Sequence, residues 1–369
     1  MENEDLRYSI ALTLIPSIGS ITARKLIAYT GSAKNVFNEK KSNLQKIPGI
    51  GSFLAGSINP GLFLKQADKE IIFIEKNKVG ILSLFQKGYP ERLKHCPDAP
   101  LLLYYKGKQV FNSPKVLSIV GTRNATDYGI EQCRKMIRDL KENNHQVLIA
   151  SGLAYGIDAQ AHMAAIQNGQ DTIAVLAHGL HTIYPFAHTN LANKIAESGA
   201  LVTDFCTCDN PERNNFLKRN RIIAGLADAT LVIESGKKGG ALITADLAAS
   251  YNRDVFAIPG RINDPMSEGC NMLIRENKAA LVESFKDIEY SMGWDRSKEK
   301  PESRQMHLFT ELSEEEQRIA EELKKEERLS PDILSLRTGM PVSKISGILL
   351  NMEFKALVSV LPGNYYRLV

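Results

Sequence analysis

The chain has no uninterrupted apolar run approaching the roughly 20 residues that a bilayer crossing requires, so no membrane-spanning helix is expected. Cysteine is scarce. The five present (Cys96, Cys133, Cys206, Cys208, Cys270) are odd in number and lack framework spacing, which excludes a disulfide scaffold and fits reduced thiols in a cytoplasmic protein. Cys206 and Cys208 form a C-x-C with no second ligand pair nearby, so they read as strand-end cysteines and no metal site is expected. The opening Met1-Glu2-Asn3-Glu4-Asp5 is acidic and polar, unlike a secretory leader.

What is present is ordinary in amount and uneven in placement. The 369 residues are 43% hydrophobic and 24% charged, enough for two or three domains with real cores. Net charge is +4. From Gly293 onward there are 12 Lys and Arg against 13 Asp and Glu, which leaves 34 against 29 in the preceding part. A nucleic-acid footprint would therefore lie before residue 293.

Residues 1–64 read as short helices punctuated by two similar turns, Ile15-Pro16-Ser17-Ile18-Gly19 and Ile47-Pro48-Gly49-Ile50-Gly51. Proline ending one helix and glycine opening the next is the pattern of a helix-hairpin-helix (SAM-like) domain, whether or not its amides hold phosphate. Residues 65–292 form the second expected domain. Within it, apolar runs at Val116–Val120, Val147–Ala150, Thr172–Ala177, Ala200–Thr203, Thr230–Ile233 and Val255–Ile258 alternate with helix-length segments. That alternation predicts an α/β domain with a doubly wound, Rossmann-like parallel sheet covered on both faces. Residues 293–312 are charged and polar, a linker by composition. Residues 313–369 predict three helices and a hairpin, a winged helix. The third of those helices has one cation, Lys344, so this domain is expected to contact protein or regulate assembly instead of gripping DNA.

The stretch that sets the functional reading is Asn214-Asn215-Phe216-Leu217-Lys218-Arg219-Asn220-Arg221. Cations neutralise phosphates, amides bond phosphate or base edges, and a phenyl face stacks on a base. A solvated amphipathic helix is the plainer alternative. Ligands of a doubly wound sheet sit at the carboxyl ends of its strands. Tight turns collect there: Gly121-Thr122-Arg123, Ser151-Gly152-Leu153-Ala154-Tyr155-Gly156, Ala177-His178-Gly179-Leu180, Tyr184-Pro185, and Ser235-Gly236-Lys237-Lys238-Gly239-Gly240. They would bring backbone amides and Arg123, Lys237 and Lys238 to one edge. The dinucleotide fingerprint is missing after the first of these strands, and Walker A is missing too, so no nucleotide cofactor is expected. Asp158 and His162, at i and i+4 of one helix, read as a structural pair more readily than as acid and base, since no nucleophile or third ligand accompanies them.

Taken together, Ile119-Val120-Gly121-Thr122-Arg123, Ser151–His162, Asn215–Leu226 and Gly240–Ala245 followed by Val255–Gly260 resemble the DNA-processing protein A (DprA/Smf) family in order and spacing. The resemblance is strong over about 115–290. It implies a cytoplasmic, non-enzymatic, homodimeric protein that binds single-stranded DNA. Such a protein protects incoming DNA during natural transformation and helps load a RecA-type recombinase, with single-strand-binding protein a further partner. Carried over, the DNA site comprises Gly121, Thr122, Arg123, Ser151, Gly152, Asn215, Phe216, Lys218, Arg219, Asn220, Arg221, Lys237, Lys238, Gly239 and Gly240. The chain departs from the family pattern at Gly239-Gly240, Asp204 and Phe216-Leu217.

Two other readings stand beside this one. Rossmann-like phosphoribohydrolases acting on nucleoside monophosphates share a late glycine-rich loop, but their Glu at the next helix start is missing from Ala241-Leu242-Ile243-Thr244-Ala245. A pure protein-interaction scaffold would lose no single-strand affinity when the cations were removed.

Overall fold

A computed structural model describes residues 3–294 and 312–368 apart from Glu327, Ala356 and Pro362. The expected linker lies almost wholly outside the described residues.

The apolar runs become the central, buried strands of a nine-stranded sheet whose edges are more exposed: β1 (Gly80–Ser83), β2 (Leu102–Gly107), β3 (Val116–Val120), β4 (Leu148–Ser151), β5 (Thr172–Val175), β6 (Ala200–Thr203), β7 (Ala229–Val232), β8 (Asp254–Ala257) and β9 (Ala280–Leu281). Their spatial order is β1-β2-β6-β5-β4-β3-β7-β8-β9. β3 pairs in parallel with both β4 and β7, and β5 extends the parallel ladder to β6. Strands with no polar-out alternation need helices on both faces, and the helices between them supply that cover. β2 breaks the pattern by pairing antiparallel with β6, and β1 then pairs antiparallel with β2. The sheet is thus mostly parallel with an antiparallel edge. Its strand order reverses at β3, between β4 and β7, and places a crevice at the carboxyl ends there.

Among the described residues six helices precede β1. Two of them, Ser20–Thr30 and Ser52–Ser57, begin at Gly19 and Gly51 with nearly the same backbone angles (φ −80°, ψ 175° and φ −80°, ψ 178°) and no side-chain cap. The Pro60–Asn77 helix runs across residue 64, where the sequence reading divides two domains. Its buried Phe63, Ala67 and Ile74 join the core made by Leu12, Leu26 and Ile50. That core closes on the antiparallel edge through Leu102 and Tyr104. Glu70 reinforces the junction by accepting from the Thr207 amide, and from its hydroxyl at 2.5 Å. Gly88–Leu93, a connection whose sequence gives no clear meaning, ties the sheet's rim together. The Tyr89 hydroxyl donates to the Pro100 carbonyl at 2.7 Å, and Arg92 pairs with Asp228 at 2.6 Å.

The carboxyl-terminal unit is separate. Helices Glu314–Lys325, Pro331–Thr338 and Val342–Phe354 enclose Ile319, Leu323, Leu334, Ile345, Leu349 and Met352. The hairpin strands β10 (Val358–Leu361) and β11 (Tyr365–Leu368) complete a winged helix, with Leu329 bridging to Tyr366. Ser313 and Glu316 form a capping box at the first helix. Lys344 pairs with Glu315, Lys355 with Glu316, and Arg337 with Glu322 and Glu326. Much of this unit's positive charge therefore meets its own carboxylates.

Candidate nucleic-acid interface

At the carboxyl ends of β3 and β7 lies an open cleft of about 660 Å³. Gly121, Thr122 and Arg123 form one wall, Lys238, Gly239 and Gly240 another, and the Arg213–Leu226 helix a third. The Gly240–Ser250 helix starts at Gly239 without a side-chain cap, so its first amides are available to an anion. Arg123, Lys237 and Lys238 are exposed. The Arg123 guanidinium carbon lies 4.9 Å from the centroid of the Phe216 ring, a cation–π pair at the cleft mouth. Tyr184 meets the same ring edge-on at 5.8 Å.

Two of the expected glycines serve packing. A Cβ on Gly121 would sit 2.5 Å from Ile157, and one on Gly152 would sit 2.3 Å from Arg219 Nη1. Ser151, fully buried, donates its hydroxyl to the Ile119 carbonyl at 2.6 Å and presents nothing to a ligand.

The organising helix distributes its polar residues over three directions. Arg213, Phe216, Leu217 and Asn220 line the cleft. Asn215, Lys218 and Arg221 line a second hollow of about 710 Å³, shared with Ile18–Ala23 of the helical domain. Arg219 points inward. It is 3% exposed, and its Nη1 donates to the carbonyl of Gly152 at 2.6 Å and to that of Val175. Burial lowers its pKa to about 10, with Asp158 opposing that shift. Arg219 lines the floor of the cleft with its guanidinium engaged inward, where it holds two loop carbonyls and lies 5.9 Å from the centroid of the Phe216 ring. Arg221 is likewise engaged within the fold, bonding Asp204 and the Asp98 carbonyl. Asn215 donates to the Asn210 carbonyl at 3.2 Å. Lys218 is exposed, but it lines the second hollow and not the cleft.

Asp158 and His162 are both buried and do different things. Asp158 accepts weakly from the Ala154 amide at 3.4 Å, and burial raises its pKa against the pull of Arg219. His162 Nδ1 donates to Thr172 Oγ1 at 2.7 Å, since that hydroxyl is itself donating to the Ile149 carbonyl. Burial pushes the His162 pKa down to about 3. The unfolded chain then binds this proton at a higher pH than the folded one. The stability His162 allows is complete above about pH 6.5 and is lost as pH falls towards 3. Urea unfolding of a His162→Gln variant is expected to show a shallower acid-side decline. The difference should approach one proton, about 1.4 kcal/mol per pH unit between pH 6 and 4. Parallel curves would show that His162 is not the titrating group.

Three contributors lie outside the DNA site that the family resemblance carries over. Arg213 lies one turn before Phe216 and is exposed on the cleft. Tyr184 arrives from the loop after β5. Glu234, just past β7, is 1% exposed and accepts from the Thr126 amide at 2.9 Å and its hydroxyl at 2.5 Å, fixing the loop that carries Arg123. Arg213 could have been found from i, i+3 spacing; the other two depend on contacts distant in sequence. Among the described residues no cluster of His, Cys, Asp and Glu is arranged to hold a metal.

Comparison with known proteins bears on the domain that builds the cleft. Residues 80–293 match the family model for DNA recombination-mediator protein A, and residues 308–364 match the DprA winged helix domain. The DNA processing protein DprA of Streptococcus pneumoniae is 40% identical over 239 residues, 64% of this chain and 83% of its own. A protein Smf of Synechocystis is 31% identical over the full length of both chains. The crystal structure of the pneumococcal protein superposes with a TM-score of 0.64 at 35% identity, covering 77% of this chain and 97% of that one. A structure described as showing the single-stranded DNA binding mode of DNA processing protein A from Helicobacter pylori superposes with a TM-score of 0.53 at 26% identity, over 59% and 97%. A match over more than half the chain, in the domain that builds the cleft, leaves one assignment: the chain belongs to the DNA recombination-mediator protein A (DprA/Smf) family.

Proposed function

We propose that this protein binds single-stranded DNA along the carboxyl-edge cleft and acts as a recombination mediator. In that role it protects incoming DNA in natural transformation and helps load a RecA-type recombinase. The observation that carries the reading is the Arg123–Phe216 pair at the cleft mouth, flanked by exposed Arg213, Lys237 and Lys238. Stackable rings beside unpartnered charge suit a flexible polyanion with exposed bases. The cleft presents little base-edge chemistry, which favours backbone tracking over sequence readout. The Helicobacter pylori relative is described as binding single-stranded DNA, which supports the same ligand here.

Homodimerisation through the sheet domain, contact with single-strand-binding protein and a cytoplasmic location belong to the same proposal. No described helix is long and apolar enough to cross a membrane. The phosphoribohydrolase alternative has little to stand on. Among the described residues lining the cleft, Asp158 is the one carboxylate, and it is buried.

Each phosphate contact contributes about 0.7 to the slope of log affinity against log salt for single strands. Arg123→Ala and Lys238→Ala are each expected to lower that slope by about this amount, and the double variant by about twice as much. Because Arg219 faces inward, conservative Arg219 variants that stay folded are expected to leave the slope unchanged. Folded Arg123 and Lys238 variants with wild-type slopes would move the DNA path off this cleft.

A further inference from the structure

Beyond the cleft mouth, the loop after β5 carries rings that no core requires. Tyr184 touches Phe216, Phe186 follows two residues later at 84% exposure, and His188 meets Tyr155 edge-on at 4.9 Å. Tyr184 and Tyr155 are themselves 46% and 49% exposed. The loop is nevertheless well fastened. The Tyr184 amide donates to His178 Nε2 at 3.2 Å, and His178 Nδ1 donates to the Gly179 carbonyl at 2.9 Å. His188 Nδ1 donates to the Leu153 carbonyl at 2.9 Å, which ties the far end of the loop to the turn after β4. Its backbone is anchored while its ring faces stay open.

Charge along the loop fits a polyanion. From Thr172 to Ala196 the chain has no Asp or Glu. Isolated exposed apolar side chains are common on protein surfaces, but rings in sequence along one lip, contiguous with Phe216, are a different arrangement. Every base has a stackable face, so anchored open rings beside a basic cleft recognise unstacked bases without reading sequence. A rigid lip also lowers the ordering cost of binding.

We propose that the Tyr184–His188 lip, together with Tyr155, is a second stacking platform that extends the single-strand path beyond the cleft by one or two nucleotides. Phe186 and Tyr155 take the added bases, and Tyr184 bridges them to Phe216. The inference rests on the single-strand reading of the cleft, and it makes a separable demand: affinity should depend on strand length through these rings.

The test uses the full-length protein with oligothymidylates of 6 and 20 nucleotides, titrated against wild type, Phe186→Ala, Tyr155→Ala and the double variant. Both side chains are exposed, so the variants should fold as wild type does. The double variant is expected to lose about tenfold in affinity for the 20-mer, within the range known for base stacking, while 6-mer binding stays within about twofold and the salt slope does not move. Phe186→Trp should restore most of the 20-mer affinity, and Phe186→Leu should not. Equal loss on both lengths, or no loss on either, would overturn the platform while leaving cleft binding intact. Loss of 20-mer affinity accompanied by a shift in oligomeric state on gel filtration would overturn it too, because the lip would then be a contact between two copies of this chain. If wild type binds neither oligomer, the single-strand reading fails first and the platform with it.

Discussion

Replacing Arg219 by alanine is expected to destabilise the protein by about 3–5 kcal/mol, the range seen when one partner of a buried charged network is removed. The guanidinium is 3% exposed and donates to the carbonyls of Gly152 and Val175. Truncation would leave both carbonyls without this donor inside the fold, and Asp158, already raised by burial, would lose the charge that opposes that shift. Chemical unfolding of the variant measures the loss directly. A lysine at the same place keeps the charge but lacks the planar fork, so Arg219→Lys is expected to recover only part of the stability. An Arg219→Ala protein unfolding within about 1 kcal/mol of wild type would mean that the side chain is not held inward as described.

Phe216→Ala is expected to weaken single-strand binding by about 1–3 kcal/mol, roughly five- to 150-fold, with little change in the salt slope. The ring is partly buried and is approached by Arg123 at 4.9 Å and Tyr184 at 5.8 Å, so truncation removes a stacking face and also the surface that orders Arg123. Loss with an unchanged slope marks stacking, whereas loss with a lower slope would mean that Phe216 acts chiefly by placing the Arg123 charge. Unchanged affinity would remove Phe216 from the interface.

The parallel sheet was legible because strands buried on both faces read as unbroken apolar runs, and Val116–Val120 and Ala200–Thr203 are wholly buried as that pattern requires. The antiparallel edge was not legible, since nothing in Leu102–Gly107 announces which neighbour it will take. In the Arg213–Leu226 helix the residue types are informative, and their directions follow from the helical period. At about 100° per residue, positions 213, 216, 217 and 220 share one face and 215, 218 and 221 another. Arg219 lies four residues after buried Asn215 and three and four before buried Ile222 and Ile223, and that spacing could have turned it inward. What no spacing could supply is the meeting of the Tyr184 ring with Phe216, or the buried Glu234 that bonds Thr126 behind the cleft, since both depend on loops set side by side by the strand order.

The most direct test is a titration of the full-length protein with single-stranded and duplex oligonucleotides of matched length, repeated across salt concentrations. Binding to the single strand is expected to be sequence-tolerant, to weaken as salt rises, and to exceed duplex binding by at least about tenfold, because a duplex hides the bases that Phe216 would stack. Equal affinity for the matched duplex would contradict the single-strand cleft.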